Sequence, residues 1–189
     1  MAEWILASAS PRRRELLKLL VPEFEVFPSE VDEASQPEEW PEALVRRLAQ
    51  EKALVIQRSH PDAIILGADT VVICEAALLG KPSSAEEARS MLQKLSGKTH
   101  QVLTGVCLLH KQVCLVDHSV TDVTFNRMTV QEIESYVTSG EPLDKAGAYG
   151  IQGIGARFIS RIDGCYFNVV GLPVSLVYQM IQKPGKHLV

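Results

Sequence analysis

Five short stretches of the chain combine residue types able to handle a phosphorylated, negatively charged substrate. Ser8-Ala9-Ser10-Pro11-Arg12-Arg13-Arg14 places two hydroxyls and three guanidiniums where an apolar strand should turn into a helix. The N–H groups at a helix start lack partners and carry partial positive charge, so arginines there oppose the helix dipole. Helix stability does not call for them; an oligophosphate would, because guanidiniums bind it through paired hydrogen bonds. The competing reading is a serine cap followed by solvated arginines. Gly67-Ala68-Asp69-Thr70 sets an aspartate inside an apolar segment, which is costly unless something charged meets it. Such a carboxylate can take a proton from water or hold a divalent metal; the alternative is a satisfied structural group. Leu79-Gly80-Lys81-Pro82 offers a lysine as a point charge for phosphate, or a solvated surface lysine. The acidic stretch with Glu30, Asp32 and Glu33 could complete a metal site with Asp69, although a solvated loop is the plainer reading and the preferred one for Glu30. In Asp144-Lys145-Ala146-Gly147-Ala148-Tyr149-Gly150-Ile151-Gln152-Gly153, small residues let backbone approach a flat ligand, and the Gln152 amide can read a base edge. A glycine-rich turn with a solvated amide competes.

Other motifs fail on spacing. Ser96-Gly97-Lys98-Thr99 looks like the end of a phosphate-binding loop, but the required earlier glycine is Leu92 and the stretch follows a helix, so it reads as a helix cap. Gly150, Gly153 and Gly155 reverse the spacing of a dinucleotide fingerprint. Arg14-Glu15-Leu16 lacks the glutamates of a Nudix box, and no GxSxG marks a serine hydrolase. Cys74, Cys107, Cys114 and Cys165 show no CxxC and read as core thiols, with Cys107 and Cys114 facing each other if His110-Lys111 is a tight turn. The histidines form no HxH or HxxxH pair, so a histidine metal site is not expected.

The elements that must position these stretches alternate between strand and helix. Trp4 to Ala7 reads as a buried strand, with Ser10 and Pro11 starting a helix faced by Leu16, Leu17, Leu19 and Leu20. Phe24 to Phe27 alternates as a strand, and residues 29–40 read as a loop. A helix runs from Pro41 to about Arg58 with Leu44, Val45, Leu48, Ala49 and Val55 at helical spacing. Residues 63–66 and 71–73 read as a strand interrupted by Gly67 to Thr70. Ser84 with Glu87 and Thr129 with Glu132 are capping boxes for two helices, the first ended by Gly97 and the second by Gly140. Strands are expected over Val102 to Leu109, Val113 to Phe125 and Phe158 to Ile162, and a last helix from Pro173 to near Gln182. This alternation predicts an α/β fold in a single domain over residues 1–182, followed by a loose tail over 183–189.

The bulk properties narrow the partners. The chain has 189 residues, 46% hydrophobic and 22% charged, which excludes disorder, collagen and coiled coil as whole-chain descriptions. Lys plus Arg is 19 against 23 Asp plus Glu, so the net charge of -4 argues against a nucleic acid polymer as partner. No stretch reaches the ~20 apolar residues of a membrane span, and the first residues lack a signal-peptide apolar run. A cytoplasmic protein is the expectation.

Taken in order, LASASPRRRELL, GADTVV, GKP, LSGKTHQVLTGV and DKAGAYGIQG resemble the Maf family of nucleoside triphosphate pyrophosphatases, over nearly the whole chain from Ile5 to Ile181. The resemblance implies a mixed twisted sheet flanked by helices, with two lobes around a central cleft, similar to inosine triphosphate pyrophosphatases. It implies hydrolysis of a nucleoside triphosphate to the monophosphate and pyrophosphate with a divalent cation, Mg²⁺ or Mn²⁺, and homodimers. YGIQG resembles the subgroup acting on dTTP and UTP; a sister subgroup acting on 7-methyl-GTP carries glutamate where this chain has Gln152. One amide can meet the N3–H and the adjacent carbonyl of uracil or thymine, whereas guanine's paired donors suit a carboxylate. By resemblance Asp69 is the general base; Arg12, Thr70 and Gln152 govern substrate choice; and Ser8, Arg13, Glu33, Lys52 and Lys81 form the phosphate and metal surroundings, with Glu33 and Asp69 the metal candidates. The rival readings are a pyrophosphatase for modified or purine nucleotides and a nucleotide-binding regulator of cell division with little turnover.

Overall fold

The computed structural model describes residues 3–182; the tail expected over 183–189 lies outside them. The strands are β1 (Trp4–Leu6), β2 (Glu25–Val26), β3 (Ile64–Cys74), β4 (Ala77–Leu79), β5 (Thr99–His110), β6 (Val113–Phe125) and β7 (Ile159–Asp163). The helices are α1 (Pro11–Leu17), α2 (Pro41–Gln57), α3 (Ala85–Leu95), α4 (Val130–Thr138), α5 (Tyr166–Val170) and α6 (Val174–Ile181). Short 3₁₀ turns cover Glu141–Asp144, Ala146–Ala148 and Ile154–Phe158. The strands form one mixed sheet in the order β2-β1-β3-β5-β6-β7, with β4 paired to β3. β1 is parallel to β2 and β3, while β4 runs antiparallel to β3 and β7 antiparallel to β6. The expected mixed α/β architecture is what the chain adopts.

The local signals act as the sequence suggests. Ser10 accepts from the Arg13 N–H and Pro11 opens α1. Thr129 and Glu132 make a reciprocal capping box on α4. At α3 the box is incomplete: Ser84 accepts from the Glu87 N–H, but the Glu87 carboxylate reaches back to the N–H and hydroxyl of Ser83 instead. Gly97 has φ 71 after the last residues of α3, and Lys98 pairs with Glu75 at 2.8 Å, so the Ser96 to Thr99 stretch is a helix cap leading into β5.

Several expectations are corrected. β3 runs unbroken through Gly67, Ala68, Asp69 and Thr70, because an extended backbone accepts a glycine and a satisfied aspartate. β4 has no counterpart in the sequence reading; it follows a two-residue turn, Glu75-Ala76, in which both residues have positive φ, a geometry ordinarily signalled by Asn-Gly or Asp-Gly. Cys114 is exposed rather than a core thiol, since it lies at the margin of the α2 core, where the Gln50 amide of α2 reaches its sulfur. Its sulfur lies 3.8 Å from that of buried Cys107, across a hairpin whose turn is Lys111-Gln112, one residue later than expected. α5 is likewise absent from the sequence reading.

The described chain divides into two compact units. The first holds residues 3–69, 104–119 and 171–182; the second holds 70–103 and 120–170. In the first, Ile5, Ala7, Ala49, Ala53, Ile56, Ile65, Cys107 and Leu109 form a core under α2. A Cβ on Gly67 would lie 2.1 Å from the Ala49 carbonyl oxygen, and one on Gly105 2.1 Å from that of Val45. The two glycines thus let α2 lie directly on β3 and β5. In the second unit the core gathers Val72, Leu92, Leu95, Phe125, Tyr136, Tyr149 and Phe158.

Candidate active site

The close seating of α2 creates the charged centre of the first unit. Side chains alternate along a strand, so Asp69 points to the same face as Gly67, the face on which α2 lies. Lys52 belongs to the buried stripe of α2, together with Leu48, Ala49, Ala53 and Ile56. Its ammonium donates to Asp69 Oδ1 at 2.7 Å and to Glu33 Oε1 at 2.6 Å. Lys52 is 7% and Asp69 6% exposed, so each compensates a charge the other could not leave unpaired in the interior. Glu33 reaches in from the acidic loop while remaining largely exposed, and the loop itself is tied to α2 by Arg47. Arg47 grips Glu39 through two nitrogens and holds its carboxyl down at about 2.

Arg13 and Ser8 lie next to the backbone that carries Asp69. Arg13 donates to the Ala68 carbonyl at 2.9 Å, to the Gly171 carbonyl at 2.9 Å and to Ser8 Oγ at 3.1 Å. It therefore ties the β1–α1 loop and the start of α6 to the backbone next to Asp69. Burial lowers the affinity of Arg13 for its proton; Asp69 and Glu33 pull the other way, and Arg12 adds to the lowering. Arg12 is half-buried in the first turn of α1. Thr70 follows Asp69 in β3, half-buried and on the opposite strand face.

In the second unit Lys81 and Gln152 are both exposed. The glycines around Gln152 have an internal reason. A Cβ on Gly153 would lie 2.4 Å from Glu141 Oε2, and one on Gly155 2.4 Å from the Tyr136 hydroxyl. The small residues accommodate the protein's own side chains, not only a ligand. Glu141 accepts from the N–H groups of Ile154 at 2.8 Å and Gly155 at 3.1 Å and from the Tyr136 hydroxyl at 2.8 Å. Burial works against its charge, but these donors prevail and hold the carboxyl below its ordinary value. The sequence reading missed Glu141. Its signal is slight: an acid just after the helix-closing Gly140.

Oxygen donors suited to Mg²⁺ or Mn²⁺ are present in Asp69 and Glu33, which already converge on a single cation, the Lys52 ammonium. Among the described residues no three His, Cys, Asp or Glu side chains gather into one group. Mg²⁺ is ordinarily held by one or two carboxylates together with waters and substrate phosphates, so this pair fits such an ion.

Residues 3–184 match the model of the Maf-like protein family. The chain belongs to that family. It is 47% identical to a dTTP/UTP pyrophosphatase of Syntrophomonas wolfei, over 97% of this chain and 98% of that one. It is 48% identical to a dTTP/UTP pyrophosphatase of Bacillus cereus, over 97% and 96%. Among solved structures, a HAM1 protein from Coxiella burnetii shares the fold with a TM-score of 0.54 at 14% identity, covering 96% of this Maf-like chain and 98% of that chain. No helix among the described residues is long and apolar enough to cross a membrane.

Proposed function

We propose that this protein hydrolyses dTTP and UTP at the α–β phosphoanhydride, releasing the nucleoside monophosphate and pyrophosphate. The near-full-length identity to relatives named for that activity supports the substrates. The observation that carries the chemistry is the buried Asp69 carboxylate, fixed with Glu33 on the Lys52 ammonium. Asp69 takes the proton of the attacking water. Lys52 keeps Asp69 and Glu33 oriented and balances their charge. Arg12 and Lys81 neutralise charge on the leaving pyrophosphate. Arg13, committed to Ser8 and two carbonyls, adds its positive field and fixes the backbone beside Asp69. Ser8 and Thr70 complete the surroundings of the phosphates, Thr70 contributing to substrate choice, and Gln152 reads the base. Asp69 and Glu33 would hold a Mg²⁺ or Mn²⁺ ion. Such an ion, when bound, neutralises phosphoryl oxygens and makes bound water more acidic. The reading places a homodimer in the cytoplasm, acting on free nucleotides; sedimentation of the purified protein tests the dimer.

Pyrophosphate release measured across ordinary and modified nucleotides tests the reading, with dTTP and UTP expected to give the highest kcat/KM. Binding of dTTP without release of pyrophosphate would favour a regulator instead. Asp69→Asn retains shape, and Lys52 keeps Glu33 as counter-ion, so the variant should fold. Its kcat should fall by ~10²–10⁴, the worth of a general base. Near-full turnover at saturating metal would remove Asp69 from the chemistry.

A further inference from the structure

We propose that Glu141 is a positioning residue for base selection, acting through Gln152. The inference rests on the reading of Gln152 as the residue that meets the base. The side chain of Gln152 is exposed, so nothing buried fixes its place; its place must come from the backbone that carries it. That backbone is held on both sides of Gln152. On the far side, Ile154 and Gly155 donate their N–H groups to the two oxygens of Glu141. On the near side, Gly150 donates to the Tyr136 hydroxyl at 3.0 Å, and that hydroxyl donates in turn to Glu141 Oε1. Tyr149, just before, is held by a 2.8 Å hydrogen bond between its hydroxyl and His100 Nε2. Glu141 thus closes the loop from Gly150 to Gly155 on itself, directly at one end and through Tyr136 at the other.

The chemistry of the group suits the task. A carboxylate is an acceptor only, so it can satisfy three donors with no proton in the way. Its own position is fixed from behind, because Lys145 donates to the Glu141 carbonyl at 2.6 Å. Glu141→Gln keeps the size but turns one acceptor into an NH₂ facing N–H donors. The far flank of Gln152 is then released, and the backbone that presents its amide is no longer held. A site that matches donors and acceptors to a base loses discrimination when its polar groups lose their fixed positions.

The decisive comparison is dTTP against dCTP, which share sugar and phosphates but present reversed donors and acceptors at positions 3 and 4 of the ring. In Glu141→Gln the ratio of kcat/KM values for dTTP over dCTP should fall about ten-fold, the scale of one or two lost hydrogen bonds, mainly through KM for dTTP. Turnover of dTTP at saturation should stay within about two-fold, since the phosphate groups are untouched. In a Gln152→Ala background the same substitution should leave the ratio unchanged, because coupling vanishes when its target is absent. Tyr136→Phe removes one donor to Glu141 and the acceptor for Gly150, and should shift the ratio the same way by less; it reads the inference even if Glu141→Gln does not fold. An unchanged ratio in the folded variants, or an equal shift with Gln152 absent, would overturn the inference while leaving the activity intact. Absence of wild-type dTTP turnover would instead overturn the activity reading and this inference with it.

Discussion

Each unit of this protein contains a carboxylate that the fold has gone out of its way to satisfy, and the two are satisfied differently. Asp69 is balanced by a side chain, the Lys52 ammonium. Glu141 is balanced mostly by backbone N–H groups and a tyrosine hydroxyl. An ion pair stores charge at a point and leaves the second carboxylate oxygen for other partners. Backbone donors spend the carboxylate on shape, fixing a loop rather than a charge. The first arrangement suits a group that must exchange protons or meet a cation, and the second suits a group that holds a recognition segment still. A buried acid is therefore not by itself a sign of chemistry; the identity of its partners separates the two uses.

The largest effect that would break this comparison comes from the ion pair. Lys52→Met strips the buried Asp69 of its hydrogen-bonded counter-ion and leaves only the field of Arg13 against its charge, which should cost about 3–5 kcal/mol of stability, and denaturant unfolding of the variant measures it. A loss of less than about 1 kcal/mol would mean that Asp69 does not depend on Lys52, and that the field of Arg13 suffices to hold its charge.

The second prediction concerns the aromatic support of the Gln152 loop. Burial holds His100 neutral, with its proton affinity lowered to about 4 and Asp122 opposing the shift. The unfolded chain protonates this histidine near 6.5, its ordinary value, while the folded chain does not until about 4. The unfolded state therefore binds more protons within that window, and stability should fall as pH drops from about 6.5 towards 4, by up to about 3 kcal/mol. The difference in pH dependence between wild type and His100→Gln isolates the contribution. Identical slopes for the two proteins would show that His100 titrates alike in both states.

The smallest expected effect sharpens the recognition half. Gln152→Glu sets an acceptor-only group against the pyrimidine O4 while suiting guanine-type donors. The ratio of kcat/KM for dTTP over 7-methyl-GTP should fall by about ten-fold, the scale of one mismatched hydrogen bond. A ratio that does not move would show that Gln152 takes no part in choosing the base.

Much of the fold is legible in the residues. Pro11, Ser84, Thr129 and Gly140 mark helix ends, because capping depends on local backbone groups and short-range hydrogen bonds. The apolar spacing of α2 and the long runs of β5 and β6 follow from the two periodicities of helix and strand. Less visible is the Glu75-Ala76 turn, since neither residue type advertises positive φ. In the site, Asp69 stands out as an acid in an apolar run, but Lys52 draws attention only through family resemblance. It does fall in register with Leu48, Ala49 and Ile56 on one face of α2, a clue that a lysine there must be buried.

The sequence by itself determined where each candidate charge sits along the chain and which element carries it, because helix and strand periods are set by local geometry. Only the tertiary structure decided which charges meet. Lys52 and Asp69 are 17 positions apart and Arg13 and Gly171 are 158 apart, and no local rule links them. Gly67 and Gly105 admit α2 at close range, and that packing brings the ammonium to the carboxylate. The glycines near Gln152 show the same dependence. They read as room for a ligand until Glu141 and Tyr136 are found against them, because a missing Cβ signals close approach but not what approaches.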